Sequence, residues 1–264
     1  MTIDLKSLPL ERRQKMLAAG EDILECYRVM TKGGLNIVGE ILKDQGTFYE
    51  WNHYPDADVY DPETHGQYYY HNHREGEHGH FHLFLRKKGM IKGTKPVPYK
   101  GKEKWPRGND ALCHLIAISM DDFGFPIGLF TTNRWVTAEC WYKADDVIAM
   151  LDRFCIDHAF PSWPVNRWLT GMVALFHPQI VELILKRDQV VAQWQLTHAG
   201  QDVYEDRDLE LTSELDGSVK IRCRSCGNRF PVPDLRFSLP RPNLYQLAGL
   251  LAQSYGHASR LFEA

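Results

Sequence analysis

The sequence predicts an α+β protein with a mainly antiparallel sheet that carries a histidine-rich hairpin and is flanked by N-terminal and C-terminal helices. Helical segments come first, β-rich runs fill the middle of the chain, and further helices follow. Strands that are grouped together, rather than alternating with helices, are typical of antiparallel sheets. In addition, two β-rich runs, HLIAISM and LFTTNRWV, flank DDFGFPIG, which has the composition of a hairpin connection.

The composition is that of an ordinary globular chain, with 264 residues of which 44% are hydrophobic and 25% charged. No apolar stretch reaches the roughly 18 residues of a membrane span. The N-terminal segment carries charges where a signal peptide is apolar. The six cysteines are mostly scattered, which is typical of a reduced cytoplasmic protein. We therefore expect a cytoplasmic protein that does not enter a membrane.

Two helices are expected before the strands. Ser7 can cap the first helix and Pro9 fits its first turn, while Gly33-Gly34 ends it. Asn36 caps a short second helix. Three β-rich runs then follow, TFYEWNHY, QYYYHNH and HFHLFLR, and the stretch PDADVYDPETHG between the first two predicts a polar loop.

The second half of the chain is predicted to be mainly helical. We expect helices over 145–157, from a cap at Asn166 to Phe176, and from Pro178 onward. A soft boundary near residue 212 predicts a single α+β domain over 1–212 and an appendage over 213–264. The appendage is expected to contain a hairpin that turns at Asp216-Gly217 and a helix that starts at Asn243.

The histidines give the clearest functional signal. Five of the 12 histidines lie between positions 71 and 82. If Arg74–Glu77 is a four-residue hairpin loop, His71 faces His80 and His73 faces His78, while Tyr69 faces the fifth histidine, at position 82. Because facing residues and residues two apart share one face of a sheet, all five imidazoles are expected on one face.

Such a face suits a metal ion. Opposed Cβ atoms are ~5 Å apart, and imidazole nitrogens bind zinc at about 2.0–2.1 Å, so several rings can converge on one ion. We expect zinc, iron or manganese, held by the residues His71, His73, His80 and His82. Glu77 and His78 are candidate catalytic residues. Further candidate ligands are Glu75, Asp56, Asp58, Asp61, His53, His65 and His114.

Two known motifs offer alternatives. The segment His78-Gly79-His80-Phe81-His82 resembles the histidine-triad motif, which implies a metal-free nucleotide hydrolase or transferase with His80 as the nucleophile and the other two histidines orienting it. His71-x-His73 followed by Glu77 resembles the first cupin motif, which implies a metal site instead. Neither resemblance extends beyond a short stretch of chain.

A longer resemblance covers roughly residues 10–210. The strings FYEWNHYPDADVYD, YYYHNH, EHGHFHLFLR, HLIAISMDD and LFTTNRWVT together resemble an uncharacterised bacterial family that contains a domain of unknown function. Glu77–His82 is the most recognisable part. The resemblance implies that the histidine segment belongs to the domain, and it implies no activity.

Two other features bear on ligands. Cys223 and Cys226 form a CxxC pair that can bind a second, structural zinc, with Cys155 and His158 as partners, or simply be a reduced pair in a turn. The segment Arg86–Arg107 has nine basic residues and one acidic residue, and we expect it to be a long loop. It favours an anionic substrate or, through Tyr99 and Trp105, nucleic acid.

These observations favour a metal-dependent hydrolase that acts on a small anionic substrate, for example a phosphorylated one. The metal-free triad enzyme and a non-catalytic protein that binds metal or nucleic acid are the alternatives. The oligomeric state is not indicated by the sequence.

Overall fold

The computed structural model describes residues 4–216 and two short strands, Lys220–Arg222 and Arg229–Pro231. It is an α+β structure, as predicted, with one open antiparallel sheet in the order β1-β2-β3-β4-β5-β6. The strands are β1 (Tyr54–Tyr60), β2 (Gly66–His71), β3 (Gly79–Arg86), β4 (Leu112–Met120), β5 (Pro126–Thr132) and β6 (Leu211–Asp216). The helices are α1 (Leu10–Lys32), α2 (Ile37–Leu42), α3 (Arg134–Thr137), α4 (Ala144–Met150), α5 (Trp163–Leu175) and α6 (His177–Thr197).

One face of the sheet packs against the helices. The core on this side includes Phe81 and Leu83 of β3, Ile118 of β4, Ile23 of α1 and Trp168 of α5. The ring centroids of Phe81 and Trp168 are 6.1 Å apart. Burial of this apolar surface is what holds the helices to the sheet.

The opposite face is also buried, but its residues do not join the helix-side core. We call it the histidine face, and it is formed by Tyr69, His71, His80, His82, Phe84, His114 and Phe130. The side-chain alternation of a strand explains the division, because each apolar core residue of β3 is followed by a residue on the other face.

The first strand is where the prediction of secondary structure was wrong. β1 lies mostly in the segment that the sequence predicts to be a polar loop, and of the aromatic run before it only the last residue, Tyr54, belongs to a strand. β1 pairs only with β2, so it is an edge strand of the sheet. An edge strand tolerates Pro55 and the exposed Asp56, because one side of its backbone needs no partner strand.

Two details of the second half also differ from the prediction. α5 begins at Trp163, so Asn166 lies inside the helix rather than at its cap. β6 pairs with β5 throughout, so the main sheet crosses the predicted boundary at 212 and extends to Asp216.

The expected hairpin at Asp216-Gly217 is not formed by β6. The strand that follows it, β7 (Lys220–Arg222), pairs with β8 (Arg229–Pro231) instead. The predicted helix that starts at Asn243 lies outside the described residues.

No single helix of the described part is both long and apolar enough to cross a membrane, although the bent pair α5–α6 passes that test by length and composition.

Asn166 provides a test of the helix-side packing. Its side chain is fully buried, accepts a hydrogen bond from the Tyr68 hydroxyl at 2.5 Å, and donates to the carbonyl oxygens of His158 and Phe160. Asn166→Ala should lower the free energy of unfolding by about 3 kcal/mol, because buried polar groups lose their partners. Urea denaturation measures this. The exposed Asn109→Ala is the control, and an equal effect of both substitutions would contradict the assignment.

Candidate metal centre

The pairing of β2 with β3 places the central histidines as predicted. His71 lies opposite His80, and Tyr69 lies opposite His82. The confirmed register leaves Phe81 on the helix side and puts the two histidines of β3 on the other face. A shift of one residue would have exchanged the two sets and placed imidazoles among the helices.

His78 does not join them, and the expectation of five histidines on one face was wrong on this point. Its Nδ1 atom is 2.8 Å from the Tyr70 hydroxyl, and its ring stacks on Phe48 with the centroids 5.2 Å apart. β2 ends at His71 and β3 begins at Gly79, so His78 lies in the turn between them. Packing, rather than strand alternation, sets the direction of its side chain there.

Four histidines form a cluster, which we call the histidine cluster: His71, His73, His80 and His82. One nitrogen from each ring lies within 4.8 Å of the corresponding nitrogen of the other three. The Nε2 atoms of His71 and His80 are 2.7 Å apart. Nitrogens around a tetrahedral zinc ion are about 3.3 Å apart, so small side-chain movements would bring all four to one ion.

A carboxylate fixes the orientation of one of these rings. The Nδ1–H group of His80 donates a hydrogen bond to Glu77. Because Nδ1 then carries the proton, the lone pair of His80 lies on Nε2, which faces His71. In metal sites, a ligating imidazole usually donates its other ring N–H group to a carboxylate or a similar acceptor. This bond fixes the tautomer and makes the ligand more basic.

Two deeply buried nitrogens of the histidine cluster have no hydrogen-bond partner within the described residues. They are Nδ1 of His71 and Nε2 of His82, and both are buried. The Nδ1 atom of His82 is 3.0 Å from Nε2 of His114, so Nε2 is the atom of His82 that remains for a ligand. A buried polar atom without a partner is costly, and a bound ion would remove that cost at His82.

Burial keeps these imidazoles neutral. Desolvation, helped by the neighbouring histidines, lowers the pKa of His71 to about 2 and holds the pKa values of His80 and His82 well below the usual range. The pKa of His73 is also lowered by burial. A neutral imidazole is the form that binds metals, so the histidine cluster needs no deprotonation near neutral pH.

Several residues around the histidine cluster were not identified from the sequence. Arg74 lies over the Phe130 ring at 4.2 Å, with one guanidinium nitrogen 2.7 Å from Glu214 and another 3.8 Å from Glu77. The Ser119 hydroxyl also bonds to Glu77. Ser119 and Glu214 belong to β4 and β6, so only the register of the whole sheet could have placed them here.

On its exposed side the histidine cluster is covered by Trp51, which leaves only 7% of the His73 side chain exposed. Their rings stack with centroids 4.8 Å apart, and Trp51 is 68% exposed. Glu210 lies 3.8 Å from Nδ1 of His73. Trp51 therefore lies between His73 and solvent on this side.

Most of the other candidate ligands have different partners. Asp61 accepts hydrogen bonds from backbone N–H groups, which lower its pKa against the effect of burial. His65 contacts the Tyr60 hydroxyl, and Asp58 binds His53. Asp56 and Glu75 are exposed. His114 touches the cluster through His82 but is not one of the four rings that converge.

The basic segment does not line the histidine cluster. It leaves the sheet at Arg86, six residues beyond His80 along β3, which is about 20 Å in a strand. Tyr99 and Trp105 stack on each other at 4.2 Å, and the Tyr99 hydroxyl donates to Asp202. These rings are engaged within the protein, which weakens the case for base stacking.

The predicted second zinc site depends on two cysteines near the C-terminal end of the sequence. Cys223 and Cys226 lie outside the described residues. Cys155 is a free cysteine, and burial raises the pKa of its thiol.

Together, the fold and the site define an α+β protein with a buried four-histidine cluster that could hold a metal ion. A family model described as a domain of unknown function (DUF6969) matches residues 17–216, and the chain belongs to this family. The match confirms the expected resemblance to an uncharacterised family. It contains every strand of the six-stranded sheet and the whole histidine cluster. No curated protein and no solved structure matches the chain.

Glu77 provides a test of ligand orientation. Glu77→Gln should weaken zinc binding by about 10- to 100-fold, because His80 loses the charged acceptor that favours the Nδ1–H tautomer and makes the ring more basic. Competition with a chromogenic chelator measures the affinity. Glu75→Gln changes an exposed carboxylate in the same turn and should leave the affinity unchanged. Equal affinities for the two variants would refute the orienting role.

His114 provides a test of the neutral, buried state. Burial lowers its pKa to about 3, whereas an unfolded histidine titrates near 6.5. Between these values the unfolded chain binds a proton that the folded chain does not, so stability is lost as the pH falls below about 6.5. Other buried groups titrate in the same range, so His114→Gln isolates the contribution of this one group.

In urea denaturation with chelator present, the difference in unfolding free energy between wild type and His114→Gln should change by on the order of 1 kcal/mol per pH unit between pH 6 and 4. Wild type should be the more pH-sensitive protein. Parallel curves for the two proteins would show that His114 is not buried in the neutral form.

Proposed function

We propose that this protein binds one divalent transition-metal ion through the histidine cluster and uses it to catalyse hydrolysis. The proposal depends on one observation. Four imidazole nitrogens lie within 4.8 Å of one another, and among them the available nitrogen of His82 is buried without a partner. Hydrophobic packing does not account for such a group, whereas a ligand does.

The donor set favours zinc or iron over manganese. Imidazole nitrogens suit zinc, copper, iron and nickel, whereas manganese, magnesium and calcium prefer carboxylate and carbonyl oxygens. The carboxylate nearest to the cluster, Glu77, is bonded to His80 and belongs to its support. In this proposal Glu77 orients a ligand rather than serving as a general base, and His78 takes no part.

The arrangement of the four ligands favours catalysis over a purely structural ion. His71, His80 and His82 are at most 5% exposed and lie on paired strands, so they form a rigid set of three. His73 lies beyond the end of β2, so strand pairing does not hold it, although Trp51 covers its ring and leaves the side chain 7% exposed. Three fixed ligands with an exchangeable fourth position are typical of catalytic zinc sites, where the ion activates water.

The anionic substrate remains a prediction. The basic segment that suggests it lies toward the other end of β3, whereas the exposed side of the cluster contains Arg74 together with Glu210 and Glu214. We therefore propose hydrolysis as the reaction and include both charged and neutral esters as probes.

The geometry does not favour the metal-free triad reaction. A nucleophilic histidine must reach a phosphorus atom, but His80 is fully buried, and its two nitrogens face Glu77 and His71. Attack by His80 would require both contacts to open.

Metal content tests the proposal. Protein purified without a histidine tag should contain about one zinc or iron per chain by elemental analysis, and His71→Ala/His80→Ala should contain none. His198→Ala, at the end of α6, is the control and should retain the metal. Bound metal should also raise the melting temperature, because it binds only the folded chain. A wild-type protein that binds neither metal from a defined medium would disprove the proposal.

Turnover is tested separately on the loaded protein with p-nitrophenyl phosphate, bis(p-nitrophenyl) phosphate and p-nitrophenyl acetate. Hydrolysis should be lost with the metal in chelator and return on adding zinc or iron. Stoichiometric metal without hydrolysis of any probe would favour the non-catalytic metal-binding alternative.

A further inference from the structure

A chain of hydrogen bonds crosses three strands beside the histidine cluster. Nε of Arg86 in β3 donates to the side-chain oxygen of Gln67 in β2 at 2.5 Å. The Gln67 amide nitrogen donates to Oδ2 of Asp58 in β1 at 2.6 Å. The other carboxylate oxygen, Oδ1, is 2.9 Å from Nδ1 of His53. Both oxygens of Asp58 are therefore engaged, which fixes the direction of its carboxylate.

The chain determines where the proton of His53 lies. An ionised carboxylate only accepts hydrogen bonds, so Nδ1 of His53 must be the donor. In the neutral ring the lone pair then lies on Nε2. An imidazole whose Nδ1–H group is held by a carboxylate is a recurrent arrangement for accepting a proton at Nε2.

His53 is also placed between solvent and the histidine cluster. Its ring stacks on Tyr69 with centroids 3.6 Å apart and meets the His71 ring edge-on at 5.6 Å. The side chain is 40% exposed, in contrast to the buried rings of the cluster. It lies two residues from Trp51, which stacks on His73 at the exposed side. A group in this position can contact both the cluster and bulk water.

We propose that His53, oriented by Asp58, is the proton acceptor in the hydrolysis assigned above to the histidine cluster. This inference rests on that proposed function. An O–H bond of the attacking water breaks and its proton passes to Nε2 of His53, while the oxygen forms a bond to the electrophilic carbon or phosphorus of the substrate. The bond to the leaving group breaks, and the leaving group takes its proton from the His53 imidazolium. No oxidant or reductant is consumed.

The first test is independent of turnover. Long-range ¹H–¹⁵N spectra of ¹⁵N-labelled protein report which nitrogen of each histidine carries the proton. His53 should be in the Nδ1–H form with and without zinc, and its Nε2 resonance should move when zinc is added. In Asp58→Ala the Nδ1–H form should be lost. Finding His53 in the Nε2–H form in zinc-loaded wild type would overturn the inference.

The second test uses two matched histidines. His53→Gln should lower kcat by about 10²- to 10⁴-fold with zinc content and KM unchanged, the usual contribution of a general base. His65→Gln is the control, because His65 lies in the same region but contacts a tyrosine hydroxyl rather than a carboxylate. Added imidazole should partly restore the activity of His53→Ala. Equal kcat values for the Gln variants would overturn the role of His53.

The outcomes separate the two proposals. Zinc binding and hydrolysis with a normal His53→Gln variant would leave the proposed function standing and remove only the inference. A chain that binds no metal, or binds it and hydrolyses none of the three esters, would remove the proposed function and the role of His53 with it.

Discussion

The structure depends on the pairing of β2 with β3. This ladder puts His71 opposite His80, and by alternation it sends the apolar residues of β3 to the helix side. The same register therefore builds the core and gathers the imidazoles. A slip of one residue would place imidazoles among the helices and move Phe81 to the histidine face, so both faces would lose their packing. The pairing that stabilises the core thus also fixes the geometry of the histidine cluster.

The two faces of the sheet are both buried, yet they differ in chemistry. The helix side is apolar, and its burial is favourable in itself. The histidine face buries nitrogens that need partners, and desolvation forces its rings into the neutral form. Burying nitrogens without partners lowers the stability of the folded chain, unless a ligand bonds to them. That asymmetry, rather than the number of histidines, is the physical argument for a ligand.

Much of this could be predicted from sequence because it depends on periodicity. Alternating histidines and apolar residues fixed the pairing of His71 with His80, and the order of elements predicted the fold class. What failed depended on non-local contacts. His78 takes its direction from Phe48 and Tyr70, and Asn166 from the hydroxyl of Tyr68, so no local pattern reveals them. β1 was missed because an edge strand does not need an apolar, β-rich sequence.

The two carboxylate–imidazole pairs of the histidine face have different surroundings, and the difference suggests different tasks. Glu77 and His80 are almost fully buried. The Nε2 atom of His80 faces another imidazole, so it is placed to bind an ion rather than a substrate. Asp58 and His53 are linked by the same kind of bond but lie partly in solvent, where a proton can be exchanged with water. In the function proposed above, the same kind of bond at two depths beside the histidine cluster would supply both a fixed ligand and a group that gives up and regains its proton.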